Sequence, residues 1–198
     1  AVWNIGRRAW LVNTHVYGAG MTDRLSKADW IAHGLKTLAR DGANALKVGP
    51  LATALKVSRG SFYWHFRDIA DFRDQLLQRW QEHSTDQVIQ SLDARRGEPG
   101  LLRELMQSAF TSGRRLDRAI RSWAAEDHAV ATIVATVDAK RISRIAALLV
   151  EAGVRQEHAN HRAAFVYWAY LGQAAVMDRR SAALPSDALD RIAALFEG

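Results

Sequence analysis

Apolar residues in this chain recur every three or four positions and hardly anywhere in strict alternation, which predicts helices throughout. Ile31, Gly34, Leu35 and Leu38 share one face of a first helix. It begins at Ser26, with Asp29 three residues on as the second half of a capping box, and ends at Asp41-Gly42. Leu46 to Lys56 predicts a second helix, in which Leu51, Ala52 and Leu55 form the apolar stripe and Pro50 is tolerable only in the first turn. Val57-Ser58 makes a tight connection, and Ser58 is a natural N-cap for a third helix from Arg59 to Phe66. Ile31, Leu35, Leu38, Leu51, Leu55, Phe62 and Phe66 would close a small three-helix core.

Asp68 and Asp71 open a long fourth helix, about Ile69 to Leu92, with Leu76, Leu77, Trp80, Val88 and Ile89 expected inward. Arg96-Gly97-Glu98-Pro99-Gly100 is the clearest loop. Helices are predicted over Leu101 to Thr111, Leu116 to Ala125, and Ala129 to Ala152, where Gly153 stands at C′. Gln156 to Arg180 is apolar almost all round, which argues for burial on more than one side. A last helix, capped by Ser186, runs through Phe196. The expectation is an all-α chain: a helix-turn-helix head over 21–70 and a helical body over 71–198. Residues 1–20 carry no clear helical pattern, and Met21-Thr22-Asp23 reads as a natural start. They are expected to be an upstream extension or a non-native remnant, the alternative being a basic arm that carries Arg7 and Arg8 to a DNA groove.

Charge sharpens this division. The net charge of +6 resolves into +2 over residues 1–20, +4 over 21–70 and zero over 71–198. A basic head on a neutral body is the footprint of a module that binds a polyanion. The third helix has the matching composition. With Phe62 and Phe66 anchored in the core, Arg59, Gly60, Ser61, Tyr63, Trp64 and His65 remain for the surface. Arg and Ser reach base edges or phosphates, Gly lets backbone approach backbone, and Tyr and His donate to phosphate oxygens. The chain has no cysteine, so neither disulfides nor thiolate metal sites hold it together. No apolar run approaches the roughly 18–20 residues of a membrane span, and a cytoplasmic location is expected.

The segments LSKADWIAHGLKTLARDG and LATALKVSRGSFYWHFRD resemble the DNA-binding domain of the TetR family of bacterial transcriptional regulators, over Leu25 to Leu76. The resemblance implies a homodimeric DNA-binding regulator, a repressor, whose affinity for a pseudo-palindromic operator falls when a small molecule binds the body. By the same resemblance Arg59, Gly60 and Ser61 begin the recognition helix and read base edges. Tyr63 and His65 match phosphate-binding positions, and Trp64 is placed to pack on sugar or a thymine methyl. Two departures stand out. Lys47-Val48-Gly49-Pro50 lacks the Thr or Ser that often caps the second helix and touches phosphate, so Lys47 is expected to take that role. Ile69 stands where the family often has Lys. Dimerisation is implied for the final two helices, with Trp168, Gly172, Ala175 and Phe196 as contact candidates.

Trp80, Met106, Phe110, Trp123, Phe165 and Tyr167 are candidates to line an apolar effector cavity, although such residues more often form plain core. Glu126, Asp127 and His128 are adjacent and cannot all face one ion on a helix; they read instead as a solvated helix start. His158 and His161 lack a third ligand, so no metal and no cofactor is assigned. There is no Gly-rich phosphate loop, GxSxG elbow or HExxH, and an enzyme is not expected. A helical interaction or scaffold protein would account for the body but leaves the charged head unexplained.

Overall fold

The computed structural model describes residues 25–111, 115–175 and 184–197, and among these every regular element is helical. In order they are α1 (Lys27–Asp41), a 3₁₀ turn (Ala43–Ala45), α2 (Val48–Ala54), α3 (Arg59–Tyr63) and α4 (Ile69–Gln81). A π segment (Glu82–Asp86) leads into α5 (Gln87–Ala94), followed by α6 (Leu101–Thr111) and α7 (Arg115–Ala124). Helices α8 (His128–Glu151), α9 (Gln156–Ala175) and α10 (Ser186–Glu197) complete the chain. The extension over 1–20 and the Ala175 side chain lie outside the described residues.

The chain forms two compact units. Among the described residues, the first holds 25–83 and 115–135, and the second holds 84–111, 136–175 and 184–197. The head expected over 21–70 therefore also takes in α4, α7 and the start of α8.

In the first unit the capping box at Ser26 forms as the sequence predicts. The Asp29 amide donates to Ser26 Oγ at 3.2 Å, and the Ser26 amide donates to Asp29 Oδ2 at 2.9 Å. Such a cap contributes about 1 kcal/mol. Helix α1 buries Ile31, Gly34, Leu35 and Leu38, together with Trp30, which the predicted stripe omitted. Trp30, Phe62, Phe66 and Phe72 form one aromatic cluster with ring centroids 4.9–5.4 Å apart, mostly edge to face. Gly34 lets α4 come in close: a Cβ there would stand 2.5 Å from the Phe72 ring and 2.9 Å from Leu76.

The connection between α2 and α3 turns at Lys56, one residue before the predicted Val57-Ser58. Lys56 has φ +58°. Its amide donates to Thr53 O and that of Val57 to Ala52 O, both at 3.0 Å, which is the paired closure of a Schellman motif. Glycine is the usual residue at this left-handed position, and any other costs roughly 1 kcal/mol. Lys56→Gly should therefore raise stability by about 0.5–1 kcal/mol, an increase of several degrees in calorimetric melting temperature. A lower melting temperature would show that the lysine side chain holds the turn.

In the second unit Leu102, Met106, Ile145, Leu149, Ala163 and Val166 are among the residues of one buried cluster. Helix α8 opens on Asp127, whose Oδ1 accepts from the amides of Ala129 at 3.0 Å and Val130 at 3.3 Å; the Glu126–His128 trio is thus a helix start. Gly153, at φ +99°, ends α8 in the predicted C′ position. Its amide donates to Val150 O at 2.9 Å.

Candidate nucleic-acid interface

The first turn of α2, the Lys56 turn and the short helix α3 present the predicted DNA-contacting residues on one continuous stretch. Lys47, Ser58, Arg59, Gly60, Tyr63 and Trp64 are exposed, the two aromatics at 59% and 76%. Ser61 and His65 are half-buried. An exposed Trp beside an exposed Tyr is a poor surface for water and a good one for sugar and base methyl groups.

Helix α3 is only five residues long and stops at Tyr63 rather than Phe66. The amides of His65 and Phe66 both donate to the Phe62 carbonyl at 3.0 Å, so the backbone closes there in a turn. His65 Nε2 donates to the Leu25 carbonyl at 2.8 Å and ties the end of α3 to the start of α1. That leaves Nδ1 as the imidazole nitrogen free of this bond. Ser58 has the extended backbone of an N-cap, but its hydroxyl makes no capping hydrogen bond. Lys47 occupies the N-cap of α2, also without a side-chain cap. The positive end of α2 is therefore not neutralised by a side chain of its own cap.

One neighbour missing from the sequence reading and one helix cap that it named support this stretch. Arg73 on α4 donates from Nη2 to the Leu46 carbonyl at 3.4 Å and so fixes the entry into α2; its guanidinium also lies 6.0 Å from the centroid of the Trp123 ring. Nothing in the local pattern around Arg73 signals such a long-range bond. At the start of α4, Asp68 Oδ1 accepts from the Asp71 amide at 2.8 Å. That bond, with smaller help from Arg67, holds the Asp68 carboxyl below its usual range. The Gln75 amide and the Arg67 backbone N–H do the same for Asp71.

The six effector-cavity candidates do not gather within either unit. Trp80 and Trp123 are buried in the first, where the Trp80 indole N–H donates to Asp117 Oδ1 at 2.9 Å. Met106, Phe110 and Tyr167 belong to the core of the second or to its edge. Phe165 is 60% exposed on α9 and lines no interior space. Of the dimer candidates, Trp168 is 64% exposed, Gly172 is exposed and Phe196 is half-buried. Among the described residues no group of three or more metal-ligating side chains gathers, and no helix is long and apolar enough to cross a membrane.

Residues 31–76, which run from α1 through the Lys56 turn and α3 into α4, match the family model for bacterial regulatory proteins of the tetR family. A search of the curated proteins found no match. The matched segment, folded as a helix-turn-helix with its polar and aromatic residues exposed, supports membership of the tetR family, and with it the role of a DNA-binding transcriptional regulator.

Proposed function

We propose that this regulator acts as a homodimeric repressor whose operator affinity falls when a small molecule binds its second unit. The exposed apolar face of the last two helices carries the reading. Phe165, Trp168 and Gly172 recur on α9 at spacings of three and four, and Leu195 of α10 is 78% exposed. Large apolar side chains seldom stand together in water on a protein that works alone. A single recognition helix also covers too few base pairs to specify a site, and two-fold symmetry doubles the contact.

A polar cluster in the second unit favours a ligand-responsive element. Arg141 on α8 donates to Thr85 Oγ1 and to Ser84 Oγ, each at 3.0 Å, to the Ser84 carbonyl at 3.4 Å, and to the Tyr167 hydroxyl at 3.3 Å. Tyr167 in turn donates to Asp138 Oδ1 at 2.7 Å, and burial pushes its ionisation well above the usual range, so the hydroxyl keeps its proton. Three of these bonds, from Arg141 to Ser84 and Thr85, end on the π segment, and π turns within α-helices are frequent at functional sites. A coupling of about 1–3 kcal/mol between such an element and the head would lower operator affinity roughly 5- to 150-fold.

The test is fluorescence anisotropy against the protein's own upstream DNA and a scrambled duplex at two salt concentrations, with Arg59→Ala alongside. Expected is salt-sensitive binding that prefers the native DNA, with that preference lost in the variant. Binding to neither duplex, nor to a randomised pool, would sink the reading.

A further inference from the structure

The Arg59 side chain turns back across the first turn of α2, onto Gly49. A Cβ built on Gly49 would stand 3.1 Å from Arg59 Nη2, 3.4 Å from Nε and 3.5 Å from Cζ. All three atoms belong to the guanidinium plane, so the plane rests against bare backbone. Gly49 has no positive φ, but it lies in the first turn of α2 directly before Pro50, and a proline ring crowds the Cβ of a helical residue that precedes it, so the backbone also favours glycine here. The space that the missing Cβ leaves is occupied by the Arg59 side chain at the head of the recognition helix. Gly34 and Gly60 differ: a Cβ at Gly34 would strike the Phe72 and Leu76 side chains of the core, and one at Gly60 would meet only the Ser58 hydroxyl at 3.5 Å.

We propose that Gly49 is a specificity-determining residue that acts through Arg59: its bare backbone is the seat that sets where the guanidinium presents its donors. Guanidinium recognition of a base edge depends on the direction of two parallel N–H bonds. A side chain at position 49 lifts the plane and changes that direction without touching DNA itself. The proposal rests on the DNA-binding reading of the head.

The experiment is selection from a duplex library with a randomised central segment. The full chain is compared with Gly49→Ala, Gly49→Leu, Arg59→Ala and the combined Gly49→Leu/Arg59→Ala, and each protein is also melted. Gly49→Leu should flatten base preference at the same positions as Arg59→Ala, by roughly the 5- to 150-fold that one good bidentate contact confers. The combined variant should be no flatter than Arg59→Ala alone. Gly49→Ala should lose part of the preference at those positions, whatever the crowding of its Cβ against Pro50 does to the melting temperature. A purely structural role for Gly49 would weaken binding to every sequence and would act equally in the Arg59→Ala background. The proposal is overturned if substitutions at Gly49 keep the parent's profile, alter other positions, or act equally when Arg59 is already alanine. A parent that enriches no sequence overturns the DNA-binding reading and this proposal with it.

Discussion

Phe62→Ala should destabilise the protein by about 3–5 kcal/mol, the range for removing a fully buried aromatic ring. Phe62 has no exposed surface and meets Trp30, Phe66 and Phe72 at centroid distances of 5.3, 5.0 and 5.4 Å. It is also the one buried residue of α3, so the cavity opens directly beneath the recognition helix. Urea unfolding followed by tryptophan fluorescence gives the loss, and DNA binding should disappear with it. Tyr63→Ala, one residue along at 59% exposure, should leave the unfolding midpoint almost unchanged, within about 0.5 kcal/mol. If Phe62→Ala costs less than about 1 kcal/mol, the aromatic cluster is not what holds α3 in place.

Trp168→Arg should separate the proposed dimer. Trp168 stands 64% exposed between Phe165 and Gly172 on the outer face of α9. Two-fold symmetry would bring it into the interface twice. Truncating a buried interfacial aromatic commonly costs about 2–4 kcal/mol, and an added charge does not soften that. Counted on both protomers, the effect amounts to roughly three to six decades in dissociation constant. Sedimentation equilibrium should show a dimer for the parent and a monomer for the variant, with unchanged helical circular dichroism. A variant that remains dimeric at micromolar concentration would place the interface elsewhere.

Much of the head was legible in the sequence because its signals are local. Ser26 and Asp29 lie three residues apart, and a capping box needs nothing further. Phe62 and Phe66 show their common face through spacing alone, and Gly153 marks the end of α8. The unforeseen features depend on contacts between distant segments or on a change of helical register. Trp30 and Phe72 enter the core because α1 and α4 approach at Gly34, which no periodicity reports. The sequence pattern predicts continuous α-helix to Leu92, with Val88 and Ile89 inward. The π segment changes the count: burial runs Phe72, Leu76, Trp80 and then Thr85, a step of five in place of four. Beyond it Leu92 is buried and Val88, half-buried, packs against the same core as predicted, while Ile89 is half-buried. Composition marks the polar and aromatic residues that α3 exposes, whereas the approach of Arg59 to Gly49 depends on the fold. The cavity candidates have in common only a large apolar side chain, a property shared by core residues such as Met106 and exposed ones such as Phe165.

The brevity of α3 has a thermodynamic consequence. Five residues are far fewer than the roughly 12–15 that an isolated helix needs to persist in water, so its order is borrowed from the ring cluster below. The conformational entropy of that segment is thus spent when the protein folds and not when it meets DNA. Association should lack the large negative heat-capacity change of coupled folding, and operator affinity should vary only gently with temperature until the head itself melts.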